Sequence, residues 1–301
     1  MSDFTIGCDP ELFLKSNTTG RPVSAHDILP GNKKTPFVVT GGAVQPDGLA
    51  AEFNAGPFPA DDFKAFNEGV LGVMRTMHGM VKEVNPDLTF DIIPSTTFDP
   101  DYYEGLPEDA KELGCDPDFC AYSNDPFEPN VRPSGATGLR GAGGHIHIGW
   151  ASDIPVDNPD HIDICRGFIR NLDIFVGLGM TIIDTDDRRR EVYGKAGAYR
   201  PKSYGVEYRT PSNAWLKSEA TRRFIHGLVS AALADMMKGE EAAYLRLKPR
   251  TKGKALIDAQ SIINTGNAVE AYRVLTDVLG QRVPDAFVSA NPKLADMPRA
   301  N

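Results

Sequence analysis

No stretch of this chain is apolar for long enough to span a bilayer, and its opening residues, MSDFTIGCDPELF, have neither the basic start nor the apolar core of a secretion signal. A cytoplasmic location is the expectation. Cysteine is scarce: Cys8, Cys115, Cys120 and Cys165 include no CxxC pair, which argues against a zinc knuckle or a disulfide framework and for reduced, mostly buried thiols. Basic charge is in the minority, 32 Lys and Arg against 41 Asp and Glu, for a formal net charge of −9. That balance repels a phosphate backbone and argues against broad nucleic-acid binding, while leaving room for a local basic pocket such as DDRRRE at 186–191. Histidine is also rare, with six in the whole chain, yet GGHIHIGW at 143–150 holds two of them two positions apart.

The 301 residues, 41% hydrophobic and 24% charged, are ordinary globular composition. No linker divides them, so one domain over 1–301 is expected, with a long irregular insertion at 98–142 and a helical C-terminal segment from about 240 to 301. Residues 3–14 read as a strand with Phe4, Ile6, Cys8, Leu12 and Leu14 on one side; Pro10 interrupts the row and suggests an edge or a bulge. FVVTGGAVQPDGLAAEFN reads as extended segments about a turn at Pro46-Asp47-Gly48. Helical spacing runs from Asp61 to Val84, from about Asn158 to Ile183, and from Ser218 through Met237, with one or two more helices in 254–280. LTFDIIPS at 88–95, GGHIHIGW and YGVEYRT read as strands, with a basic glycine-rich loop before the last. Strands without regular βα alternation predict an α+β fold around a mainly antiparallel sheet.

Successive side chains on a strand alternate faces, so residues i and i+2 share one. Asp9 and Glu11 then lie together, as do Glu52 and Asn54, His145 and His147, and Glu207 and Arg209. Taken singly each pair is ordinary. HxH serves a solvated polar face as readily as a metal, and ExR is more often a surface ion pair. Four such strands favour one shared polar face, on which converging carboxylates need cations among them. Oxygen ligands with one or two imidazoles suit Mg²⁺ or Mn²⁺ better than structural zinc. The loop TDDRRREVYGKAGAYRPKSYG adds Arg188, Arg189, Arg190, Lys195 and Arg200 just before the Glu207 strand. It is either a solvated basic loop or a source of guanidinium forks for phosphate or carboxylate, with one or two of the consecutive arginines turned inward. Metals with open positions beside arginines suit phosphoryl transfer.

The ordered motifs GCDPELF, DGLAAEFN, GGHIHIGW, RRREVYGKAGAYR and YGVEYRTPSNAW resemble those of the phage-type COOH–NH₂ ligase type 2 family, within the glutamine synthetase-like carboxylate–amine ligases. The resemblance implies a glutamine synthetase-like sheet whose concave face holds ATP and two or more divalent ions, with helices on the other face. It implies metal ligands at Asp9, Glu11, Glu52, His145 and Glu207, with Asp9 shorter than the glutamate found in glutamine synthetases proper. It implies nucleotide or phosphate contacts from His147, Arg188, Arg189, Lys195, Arg200 and Arg209, and a catalytic set of Glu207, Arg209, His147 and Arg190. The implied reaction forms an amide through an acyl phosphate, from small-molecule or peptide carboxylate and amine substrates. Host cytoplasm, and a homo-oligomeric assembly, would fit a phage-encoded member. A metal-dependent amidohydrolase also opens on HxH, but that fold wants the motif early and regular βα alternation. A guanidino kinase, and a binding or virion-associated protein retaining the fold without the chemistry, are the other readings.

Overall fold

In the computed structural model the described residues are 3–111, 118–125, 127–128, 138–238, 242–247 and 257–295. Cys115 and residues 114–117 of the sequence GCDPDFC lie outside them. The strands are β1 (Phe4–Ser16), β2 (Pro22–Val23), β3 (Gly31–Asn32), β4 (Thr35–Val39), β5 (Gly42–Asp47), β6 (Ala50–Pro59), β7 (Leu88–Asp91), β8 (Ser95–Thr97), β9 (Phe119–Cys120), β10 (Leu139–Gly141), β11 (Gly144–Trp150), β12 (Ala198–Lys202) and β13 (Gly205–Tyr208). Eleven belong to one sheet, ordered β3-β4-β5-β6-β1-β11-β13-β12-β9, with β2 and β7 also pairing β1. Every described strand pairing is antiparallel. The architecture is α+β, with a large antiparallel sheet.

The alternation in β1 buries Ile6, Cys8, Leu12 and Leu14. These side chains join Phe53, Ile146, Ile148, Val206 and Tyr208 in the principal core, against helical residues Phe66, Val70, Val73, Ile169 and Leu228. Cys165 is also a buried free thiol, and Cys120 is only partly covered. The helix Phe63–Val84 begins at Asp62, whose carboxylate accepts from Ala65 N, and buries Phe66, Val70, Val73, Met77 and Val81 at three- and four-residue steps. The helical run read from Asn158 to Ile183 is present as Pro159–Leu172 and Leu178–Ile183, joined by a π turn at Asp173–Gly177. The helix Glu219–Met237 starts on Ser218 in a capping box with Thr221.

Three sequence expectations change. First, β1 is central, paired on both sides by β6 and β11, and Pro10 sits in regular register opposite Gly144. The irregularity lies opposite residues Ile6–Cys8, where the β6 register shifts. Second, Pro46 and Asp47 belong to β5 and pair with Ala51 and Ala50, so the chain turns at Gly48-Leu49. Gly48 takes φ 55°, a conformation that glycine adopts without penalty from a Cβ. Third, the basic loop holds the helix Asp187–Val192 and strand β12. The 98–142 segment likewise includes short helices at Pro100–Glu104 and Glu108–Lys111 and the strands β9 and β10. Among the described residues no helix is long and apolar enough to cross a membrane.

Candidate active site on the polar face of the sheet

Directly opposed residues of antiparallel strands share a face. Register therefore decides whether the separate polar pairs meet. Glu11 opposes Glu52, which opposes Gln45 on β5. Asp9 opposes His145, His147 opposes Glu207, and Glu207 opposes Arg200 on β12. One continuous polar patch results, crossing β5, β6, β1, β11, β13 and β12. It opens into a cavity of about 230 Å³ lined by Asp9, Glu11, Glu52, His145, Arg200 and Arg209, with Lys33, Gln45, Asp47 and Lys202 completing the polar wall.

At its floor, His147 Nε2 stands 3.0 Å from Asp9 Oδ1, and His145 Nδ1 stands 3.1 Å from the same oxygen and 3.7 Å from Glu207 Oε1. Asp9, His147 and Glu207 each offer a ligand atom within 4.8 Å of the others, a spacing one metal ion can bridge. The Tyr193 hydroxyl lies 2.7 Å from the other nitrogen of His145 and accepts from Arg209. His147 is held through Nδ1 by the Tyr204 hydroxyl, the two rings stacked at 5.9 Å. Such partners fix the orientation and tautomer of imidazole ligands.

The charges are unevenly distributed. Burial works to raise the Asp9 carboxyl, but His147 and then His145 outweigh it and hold Asp9 well below the ordinary carboxylate range. Burial and Asp9 press Glu207 upward, and Arg209 with the two imidazoles brings it down to about 2. Burial, then the Arg209 charge, lowers His145 to about 4, so it is a neutral imidazole. For His147 burial works downward and the Asp9 carboxylate outweighs it, raising the value. On the β5–β6 side the balance reverses. Burial and then Asp47 push Glu11 up to about 7, and burial, Asp9, Asp47 and Glu11 push Glu52 well above the carboxylate range. Carboxyls crowded this closely in a buried site call for a cation.

The structure brings Asp9, Glu11, Glu52, His145, His147, Arg200, Glu207 and Arg209 to this face. Arg209 donates to Glu207, to Tyr193 and, at 3.3 Å, to Asp118; Lys202 Nζ lies 2.7 Å from Glu207. The remaining basic residues are engaged elsewhere. Arg189 is 1% exposed and donates to three main-chain carbonyls: Ala142 at 2.8 Å, Thr210 at 2.9 Å and Pro211 at 2.9 Å. Arg190 binds Asp187 at 2.9 Å and the carbonyl of Asp184 at 3.1 Å. Arg188 pairs with Asp186 and Ser95. Lys195 is not among the residues lining the cavity; its carbonyl accepts from the Thr210 hydroxyl. Two of the three arginines, Arg189 and Arg190, are thus turned inward as expected, but onto main-chain carbonyls and Asp187 and not onto the cavity, and Arg189 ties strand ends together.

Sequence reasoning passed over Lys33, Gln45, Asp47, Asp118, Tyr193, Lys202 and Tyr204. Extending period two would have found some of them: Gln45 and Asp47 share a face on β5, and Lys202 follows Arg200 by two on β12. Asp118 and Tyr193 carry no local signal.

Beside the polar cavity, on the same face, lies an apolar one of about 380 Å³ lined by Thr5, Gly7, Asn54, Gly56, Gly149 and Tyr204, among others. Asn54 borders both cavities. A Cβ on Gly149 would meet Thr5 Oγ1 and one on Gly56 the Gly7 Cα, so these glycines let neighbouring protein atoms close up beside the cavity.

Residues 135–255 match the family model described as phage phiEco32-like COOH.NH2 ligase-type 2. The resemblance drawn from the ordered motifs holds over that stretch, which carries HxH, the basic segment and ExR. No curated protein matches the chain.

Proposed function

We propose that this protein is an ATP-dependent ligase that joins a carboxylate to an amine through an acyl phosphate. The observation that carries the reading is the placement of Asp9, His147 and Glu207 at metal-bridging distance, with Arg200, Lys202 and Arg209 on one side and an acidic wall on the other. The coarser half of the proposal, a carboxylate–amine ligase, is supported by the family description matched over residues 135–255. The ATP step is the finer half.

The donor set fits Mg²⁺ or Mn²⁺: two anionic carboxylates and one imidazole held by a second partner. Bound there, such an ion supplies charge neutralisation for a triphosphate. The apolar cavity lined by Thr5, Ala55, Pro57 and Tyr204 suits the base of the nucleotide. Arg200, Lys202 and Arg209 suit the phosphoryl oxygens, with Asp118, Tyr193 and Glu207 fixing the Arg209 guanidinium. In the reaction a substrate carboxylate oxygen attacks the γ-phosphorus, and the bond to ADP breaks with its electron pair leaving on ADP. A deprotonated amine nitrogen then attacks the acyl carbon. The carbon–oxygen bond to phosphate breaks, phosphate departs, and the nitrogen releases its second proton.

The test needs no knowledge of the acid. Thermal unfolding is followed with Mg²⁺, with ATP, with both and with Zn²⁺, for the wild type and Glu207→Gln. A ligand bound only to the folded state at about a hundred times its dissociation constant adds roughly 2.7 kcal/mol. Stabilisation that requires Mg²⁺ and ATP together and disappears in Glu207→Gln is the expected result. Zn²⁺ stabilising by itself would point to a hydrolase, and no response to any addition would refute the ligase reading.

A further inference from the structure

The acidic end of the polar cavity already holds an ammonium. Lys33, in the turn between β3 and β4, places Nζ 2.9 Å from Asp47 Oδ1. The Lys33 side chain is 39% exposed and the Asp47 side chain 10%, so an amine coming from solvent is received by a carboxylate that is nearly covered. Pro36 lines the cavity on the same hairpin. Beside Asp47, Gln45 is 5% exposed and gives Nε2 to Glu52 at 3.0 Å. Gln45 Oε1 has no hydrogen-bond partner among the described residues, although the side chain lines the cavity. A buried acceptor of that kind normally finds a donor.

We infer that this wall is the subsite of the nucleophile, and that the nucleophile is a primary alkylammonium for which the Lys33 side chain stands in. The inference rests on the ligase reading and deepens it. An ammonium carries three N–H donors and no acceptor. The wall offers the complement: the Asp47 carboxylate, the Gln45 amide oxygen and the Glu52 carboxyl, with Glu11 directly across from Glu52. The opposite wall is cationic, built from Arg200, Lys202 and Arg209, and suits the anionic partner. Amine and acyl group then approach from opposite sides of Asp9 and His145. The aliphatic stem of Lys33 marks a route from solvent to Asp47 wide enough for an unbranched methylene chain, which ammonia would not need.

The test uses n-butylammonium chloride as the probe, without nucleotide, metal or acid, so it can fail while the Mg²⁺–ATP response succeeds, or the reverse. Thermal unfolding midpoints are titrated for the full chain, Lys33→Ala, and Lys33→Ala combined with Asp47→Asn. Tetramethylammonium, which has the charge without the donors, and n-butanol, which has the chain without the charge, are the controls. With the internal ammonium removed, n-butylammonium should half-saturate Lys33→Ala at a concentration at least tenfold lower than the wild type. Neither control should shift the midpoint, and Asp47→Asn should abolish the gain. Equal responses in Lys33→Ala and wild type would overturn the inference, as would a shift that survives Asp47→Asn or is matched by tetramethylammonium. So would a Mn²⁺ gained by Lys33→Ala that n-butylammonium fails to displace, since the wall would then be a metal site.

Discussion

Arg189 offers the sharpest separation between a structural and a catalytic arginine. Its guanidinium sends Nε to the Ala142 carbonyl, Nη1 to Thr210 and Nη2 to Pro211, all within 2.9 Å and all buried. Ala142 stands just before β11 and the other two just after β13, so one side chain joins the ends of the strands that carry His145 and Glu207. Truncation to alanine leaves the Ala142 and Thr210 carbonyls without a donor, while the Pro211 carbonyl keeps the Gly144 N–H. At about 1–3 kcal/mol for each buried unsatisfied group, the loss is roughly 2–6 kcal/mol. That is a large share of the whole stability of an ordinary domain, about 5–15 kcal/mol. Arg189→Lys keeps the charge but cannot reach three divergent carbonyls, and should lose about half as much. Arg188 is the internal control: its side chain is 59% exposed and pairs with Asp186 at 3.3 Å, so Arg188→Ala should cost about 0–1 kcal/mol. Equilibrium urea unfolding measures all three against wild type, with the slope checked for constancy. The reasoning is refuted if Arg189→Ala unfolds within about 1 kcal/mol of wild type while losing its response to Mg²⁺ and ATP, which would make the residue part of the site.

Two further outcomes follow. Tyr204→Phe removes the hydroxyl that holds His147 Nδ1; by analogy with other outer partners of metal ligands, Mn²⁺ affinity measured by titration calorimetry should fall roughly 10–100-fold. The folding cost should be no more than about 1 kcal/mol, and an unchanged affinity would remove Tyr204 from the positioning role. Away from the site, burial raises Asp173 to about 7, against hydrogen bonds from Tyr208 and others. The folded state therefore binds a proton that the unfolded chain releases near its ordinary value, so stability falls as pH rises through the interval up to about 7 and levels off above it. Glu11 and Glu52, also raised by burial, add to the same slope. Asp173 contributes on the order of 1 kcal/mol per pH unit, and Asp173→Asn should reduce the slope by that share, so urea midpoints with the same pH dependence in both proteins would contradict this.

Much of the site was legible because strand geometry is local. Alternation alone puts Asp9 with Glu11, His145 with His147, and Glu207 with Arg209, whatever the rest of the chain does. The apolar residues between them, Ile146, Ile148, Val206 and Tyr208, say which side is buried. Periodicity likewise determined the helix Phe63–Val84 and the long helical run ending at Ile183. Only the tertiary structure decided which strands are neighbours and in what register, because pairing depends on contacts between distant residues. Glu11 meets Glu52 across β1 and β6, and Asp118 reaches Arg209 from ninety-one positions away. The arginines of DDRRRE show the same limit from the other side. Composition marks them as basic, but a guanidinium donates to main-chain carbonyls as well as to phosphate, and the fold gave Arg189 three carbonyls.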